Sequence, residues 1–176
     1  MPPHLRRSPN SRSLRACLAI GAGLTASLAA CGGSNSVTSP TATPLTPAQI
    51  QSRYAAAATT YNRTMGQVAL AENAACDAAS PSVSLSACQS ALSEQRQATI
   101  AYDNALRATT FSGAATTDAS HLLGDDAAIE SLLEQAATAP NVTLIATLQA
   151  QIVPLLATAA TDAATLRTDI GLPTPS

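Results

Sequence analysis

Between residues 145 and 170, apolar side chains recur at steps of three and four residues without a polar exception. This spacing puts them on one face of an α-helix, whereas a half-buried strand would alternate at every second residue. A helix with such a stripe is expected to pack it against other helices, as in a coiled coil. The stripe consists of Ile145, Leu148, Ile152, Leu155, Ala159, Ala163, Leu166 and Ile170.

The sequence also predicts where this helix begins, bends and ends. Asn141 or Thr143 can begin it, because both side chains can accept hydrogen bonds from the free N–H groups of a first turn. Gly171 can take the left-handed conformation that ends a helix, and Pro173 prevents continuation. Pro154 lies inside the segment and is expected to bend it.

Two further helices are predicted upstream. Thr46 and Gln49 match a capping box, and the first helix is expected to run from there to about Cys76. The second helix is expected to begin near Ser84 and to continue to Phe111. On this second helix, Gln95 and Thr99 fall at seam positions where apolar side chains are usual.

A third helix is expected to be capped by Thr117 and interrupted at 124–126, where Gly-Asp-Asp occurs. Helical spacing turns Asp126 inward and Asp125 outward. Asp103 and Arg107 of the second helix are four residues apart, which predicts a solvated surface pair.

Asp125 and Asp126 are the nearest approach to a metal constellation, with His121 and Glu130 close by in sequence. A hard metal usually draws several oxygen ligands from more than one element. A di-iron bundle needs Glu-x-x-His pairs on two helices, and this chain has no Glu-x-x-His. No metal site is therefore predicted.

These four helices, joined by short turns, predict an all-α domain over residues 46–172. The most economical arrangement is an antiparallel up-down-up-down four-helix bundle, followed by a short tail at 173–176. The alternative is a pair of long hairpins that complete their cores by dimerising.

The N-terminal region has the pattern of an export signal. A basic segment with four arginines is followed by an uncharged run over residues 16–30 and then by Cys31. Leu28, Ala29, Ala30 and Cys31 resemble the lipobox of bacterial lipoprotein precursors. The resemblance covers residues 1–31 and implies cleavage before Cys31, whose thiol would then carry the lipid.

This resemblance divides the chain into a signal peptide over residues 1–30, a lipid-attached disordered tether over 31–45 and the bundle. The tether is rich in Ser and Thr and cannot bury enough apolar surface to fold. The implied location is the outer side of the cell membrane or the outer membrane. The protein would be held there by acyl chains, including palmitate, on Cys31.

Export also bears on the cysteines. Cys17 would leave with the signal peptide and Cys31 would be lipidated, so Cys76 and Cys88 would be the only two free thiols of the mature chain. In an oxidising compartment they are expected to form a disulfide that links the first two helices.

Charge and motifs exclude several functions. All eleven acidic residues but only five of the nine basic residues follow Cys31, which argues against nucleic acid as a partner. The mature chain has one His and lacks the nucleophile elbow, the phosphate loop and the His-Glu-x-x-His motif. No catalytic residue and no cofactor are predicted.

Two functions remain open. The first is a non-catalytic interaction or structural module that contacts an envelope protein or a wall component. The alternative is an extracytoplasmic module that binds or senses a small ligand in an apolar cavity at the Pro154 bend, near Tyr54 and Tyr61. We expect these two tyrosines to pack in the helix seam with their hydroxyl groups at its edge. A cavity of several hundred cubic ångströms would favour ligand binding.

The lipobox yields a direct prediction. Cys31→Ser should abolish incorporation of a palmitate analogue and block normal maturation, because the thiol is the lipid acceptor. Metabolic labelling followed by electrophoresis measures both effects, with Cys17→Ser as the matched control that should label normally. A Cys31→Ser chain that still incorporates the label would disprove lipid anchoring at this residue.

Overall fold

The computed structural model describes residues 44–77 and 83–173. In those ranges all regular structure is helical, which confirms an all-α fold of four helices. They are α1 (Pro47–Ala75), α2 (Leu85–Arg107), α3 (Ala114–Ala137) and α4 (Val142–Asp169). The signal peptide, the tether up to residue 43 and residues 174–176 lie outside the described residues, as do Leu28, Ala29, Ala30 and Cys31.

Consecutive helices pack closely on each other. For α1 with α2 and for α2 with α3, contacts join rising residue numbers on one helix to falling numbers on the next, so the two helices of each of these pairs run in opposite directions. α1 and α2 are joined by the Cys76–Cys88 pair at one end and by a hydrogen bond from Arg53 to the Ala108 carbonyl at the other. For α2 and α3, Gln89 donates to the Ala139 carbonyl and Arg96 pairs with Glu134.

α1 and α4 are not neighbours in sequence and meet mainly through side chains. Gln51 Nε2 donates to the Ile170 carbonyl at 2.7 Å. The Tyr54 hydroxyl donates to the Ala163 carbonyl at 3.2 Å. The two helices are therefore held together near the start of α1 and the end of α4.

Three helix starts agree with the sequence prediction. In the capping box, Gln49 N–H donates to Thr46 Oγ1 and Thr46 N–H donates to Gln49 Oε1. Ser84 caps α2 and Asn141 caps α4 in the same way, by accepting from the backbone three residues later. These contacts satisfy N–H groups that the helix itself cannot pair.

The end of α4 also agrees with the prediction. Gly171 has a φ of 77°. The N–H of Leu172 bonds to the Arg167 carbonyl at 2.8 Å, and the N–H of Gly171 bonds to the Thr168 carbonyl at 3.0 Å. This pair of bonds is the Schellman motif, and it folds Leu172 back onto the core.

Two predictions for α3 are wrong. The helix begins at Ala114, so Thr117 lies inside its first turn instead of capping it. Gly113 precedes the helix with a φ of 61°, a conformation available to glycine that lets the chain turn directly into α3. The helix also continues through Gly124, Asp125 and Asp126 without interruption. Gly124 costs about 1 kcal/mol in a helix, which burial of the surrounding leucine and isoleucine side chains offsets.

The core runs along the facing seams of the helices. Gln95 and Thr99 are buried in it at 5% and 1% exposure, which confirms the register predicted for α2. Tyr54 is fully buried, and Tyr61 is partly buried against the same core. The largest buried aliphatic side chains are Leu92, Leu106, Leu122, Ile129, Leu133, Ile145 and Leu166.

Cys76 and Cys88 lie at disulfide distance, as predicted, with Cα atoms 4.9 Å apart. Their separation of 12 residues closes a short loop between α1 and α2. In the chain-entropy account, such a loop restricts the unfolded chain and stabilises the fold by about 3 kcal/mol.

Reduction of this disulfide should therefore lower the free energy of unfolding of the Ala42–Ser176 unit by about 3 kcal/mol. Urea unfolding followed by circular dichroism, with and without reductant, measures the change. The double variant Cys76→Ala, Cys88→Ala is the control, since its stability should not respond to reductant. Two alkylated cysteines in the unreduced protein would contradict the assignment.

Candidate functional site

A cavity of about 320 Å³ lies between α1 and α4, with α2 and α3 forming its inner wall. Its α4 side is made largely of alanine, and side chains that short leave space unfilled. The lining residues are Tyr54, Ala58, Tyr61 and Asn62 of α1, Tyr102 of α2, Leu122 and Asp126 of α3, and Leu156, Ala159, Ala160, Ala163, Ala164 and Arg167 of α4.

All three tyrosines of the chain line this cavity. Tyr61 is stacked on Tyr102 with ring centroids 4.9 Å apart. Tyr54 meets Tyr102 edge to face at 6.5 Å. Burial raises the pKa of all three phenol groups, so they remain protonated at neutral pH. The predicted seam packing of Tyr54 and Tyr61 is confirmed, and the same rings face the cavity.

Two carboxyl groups are buried together beside the tyrosines. Asp103 and Asp126 are 0% and 4% exposed, and the two side chains lie within hydrogen-bonding reach of each other. Asp103 Oδ2 accepts from Arg107 Nη2 at 3.0 Å. Asp103 Oδ1 and Asp126 Oδ2 have no hydrogen-bond partner among the described residues.

The predicted solvated pair of Asp103 and Arg107 is therefore half wrong. The two side chains do pair, and the arginine is 52% exposed, but the aspartate side chain is fully buried. Asp103 follows Tyr102 at the edge of the α2 seam, where α3 covers it. The spacing of four residues correctly predicted Arg107 as the partner of Asp103. It could not predict that α3 packs over Asp103.

The two facing carboxyl groups need a proton between them. Burial, and then the neighbouring Asp103, raise the pKa of Asp126 to about 8. Asp126 is therefore protonated at neutral pH. Burial also raises the pKa of Asp103, against the lowering effect of Asp126 and Arg107. The pair holds one proton and one negative charge, which Arg107 balances.

Arg167 lies at one end of the cavity. Its guanidinium carbon is 5.9 Å from the centroid of the Tyr54 ring. Nε and Nη2 both donate to the Pro173 carbonyl, at 3.2 and 2.8 Å. The side chain is thus held against the end of α4 by the chain that follows it.

Asp125 does not point fully outward as the sequence predicted: it is half-buried, and its Oδ2 has no hydrogen-bond partner among the described residues. It faces Asp162 of α4, and burial, followed by the charge of Asp162, raises the pKa of Asp125. His121 is exposed. Within residues 44–77 and 83–173, no three His, Cys, Asp or Glu side chains are placed to hold a metal ion.

A second, more open groove of about 470 Å³ runs between α1 and α2. Alanine and threonine side chains make up most of its walls, and Arg53 is its one charged residue. It lacks the buried carboxyl group that distinguishes the cavity between α1 and α4. We therefore treat the smaller, more polar cavity as the candidate site.

Comparison of this chain with protein-family models, with curated proteins and with solved structures gave no match.

The buried Asp126 predicts an unusual dependence of stability on pH. Its pKa is raised from 3.8 to about 8, so the folded protein keeps a proton that the unfolded chain loses. The stabilisation is complete below about pH 4 and is lost as the pH rises through about 8, by at most about 1.4 kcal/mol per pH unit.

Asp126→Asn should remove most of the loss of stability between about pH 5 and about pH 8, because the asparagine amide can donate to Asp103 at any pH. Urea unfolding of both proteins at about pH 5 and about pH 8 measures the difference. Asp125→Asn is the matched control and should change the decline much less, since Asp125 is partly exposed. Equal declines in wild type and Asp126→Asn would contradict a shared buried proton.

Proposed function

We propose that this protein is a lipid-anchored, extracytoplasmic module that binds a small organic ligand between α1 and α4. The observation that carries the proposal is the cavity of about 320 Å³. Ligand sites are typically concave, of at least about 300 Å³, and mostly apolar with a few converging polar groups. Here alanine and leucine side chains form the walls, and Tyr54, Asp126 and Arg167 supply the polar groups.

Two observations support the location. The lipobox and its basic leader predict export and lipid attachment at Cys31. The Cys76–Cys88 pair at disulfide distance suits an oxidising compartment outside the cytoplasm. The membrane is therefore a partner through the acyl chains on Cys31.

We expect the ligand to be bound and released unchanged. A nucleophile needs a base within hydrogen-bonding reach. The tyrosine hydroxyl groups at the cavity have raised pKa values, and Asp126 holds a proton at neutral pH, which makes it a poor base. His121, the one histidine of the mature chain, is exposed on α3 and is not among the residues that line the cavity.

A second candidate function is contact with an envelope protein or a wall component. It is favoured by the outer surface of α4, where residues 142–161 carry no charge. Val153 and Leu144 on this helix are 64% and 42% exposed. By length and composition α4 could also cross a membrane. However, its buried stripe, including Ile145 and Leu166, forms part of the bundle core. A ligand-dependent contact through this surface is compatible with the cavity.

The proposal predicts that filling the cavity will abolish binding. Ala160 lines the cavity and is exposed, so Ala160→Phe should fill the space without disturbing the core. Saturation-transfer NMR with benzyl alcohol as probe should detect binding to wild type. The affinity of the variant for this probe, measured by titration, should be at least about tenfold lower.

Ala157→Phe is the matched control, because Ala157 is on the same helix, is exposed and does not line the cavity. It should bind the probe as wild type does. If both variants bind the probe equally well, the probe occupies another surface and the proposed cavity is not the site.

A further inference from the structure

The cavity between α1 and α4 contains a charge arrangement that selects among ligands. Resting on the proposed function, we propose that the ligand is an organic cation, whose ammonium group pairs with Asp126 and whose apolar part lies among the tyrosines. The ligand cation takes the place of the proton that the buried carboxyl pair otherwise holds.

The first support is the carboxyl group itself. Asp126 lines the cavity, is 4% exposed, and has one oxygen without a hydrogen-bond partner among the described residues. Arg107 already balances Asp103. When Asp126 is ionised, one buried negative charge remains uncompensated, and a buried charge is stable only when it is paired. Either a proton or a ligand cation can supply the missing positive charge.

The second support comes from the aromatic rings. Tyr54, Tyr61 and Tyr102 all border the cavity, and the faces of such rings attract cations. The hydroxyl of Tyr54 already donates to the Ala163 carbonyl. The remaining ring surface of the three tyrosines is mainly apolar, which suits the apolar part of a ligand whose ammonium group pairs with Asp126.

The groups around Asp126 make the surrounding part of the cavity negatively charged. Asp103 from α2, and Glu130 and Asp125 from α3, all add negative charge near it, and Tyr61 of α1 and Tyr102 of α2 are neutral. Arg107 of α2 is paired with Asp103.

From α4, Arg167 lines the same cavity but lies at its far end, where Pro173 and Tyr54 hold it. Asp162 is the α4 residue that lies beside Asp125, which precedes Asp126 in the sequence. Arg167 is five residues, or about 8 Å, further along α4. The inner part of the cavity therefore favours a cation.

Binding then exchanges a proton for the ligand. The O–H bond of Asp126 breaks, its electron pair stays on the carboxylate, and the proton passes to the solvent. With the pKa of Asp126 at about 8, binding at neutral pH releases about one proton. Since affinity scales with the ionised fraction, it should rise about 50-fold between about pH 6 and about pH 8.

Isothermal titration calorimetry of the full chain, as purified from the cells that express it, tests this exchange. The probes are benzylammonium, benzyl alcohol and benzoate, which share one ring and differ in charge. Titration at neutral pH in two buffers of different ionisation enthalpy gives the number of protons released. We expect benzylammonium to bind most tightly and to release about one proton, and benzyl alcohol to release none.

Asp126→Asn should lose the preference for benzylammonium and the proton release but keep binding benzyl alcohol, which shows that its cavity is intact. Asp125→Asn is the matched control and should keep both the preference for benzylammonium and the proton release. Tightest binding of benzoate, or cation binding without proton release in wild type, would overturn the inference and leave the ligand-binding function standing. Binding of no probe at all would overturn both.

Discussion

The side of α4 that faces α1 carries Ala159, Ala160, Ala163 and Ala164, and side chains this short cannot fill the space between two helices. Every other neighbouring pair of helices is joined by a short connection that fixes their approach. α1 and α4 have none, and they meet through Gln51 and Tyr54 near one end of the bundle. The cavity, with Asp126 among the residues that line it, follows from this one loosely packed pair.

Most of the fold could be predicted from the sequence because its signals are local. The capping box at Thr46, the seam of α4 and the Schellman end at Gly171 each depend on residues within a few positions of one another. The start of α3 ahead of Thr117 follows the turn at Gly113, whereas the error at 124–126 has a different physical cause. Propensity and capping favour a break there, but burial of Leu122 and Ile129 on either side stabilises a continuous helix and outweighs them.

The site could be predicted only in pieces. Helical spacing turned Asp126 inward and put Tyr54 and Tyr61 on the seam, and both placements are confirmed. That Asp103 faces Asp126 depends on how α2 and α3 align across the bundle, which no pattern within one helix reveals. One sequence signal could have indicated the burial of Asp103. It directly follows Tyr102, so it lies at the edge of the apolar seam when Tyr102 is buried.

A bundle of this size has little stability to spare, and a buried pair of carboxyl groups lowers it. Replacing such groups by apolar ones of similar volume usually leaves a protein as stable or makes it more so. The disulfide between α1 and α2 acts in the opposite sense at the far end of the bundle, where it restricts the unfolded chain without crossing the gap between α1 and α4. The covalent link therefore stabilises the domain without adding a contact between α1 and α4, which meet through Gln51 and Tyr54. In the proposed exchange the ligand reaches Asp126 through the cavity between these two helices, because Asp126 is only 4% exposed.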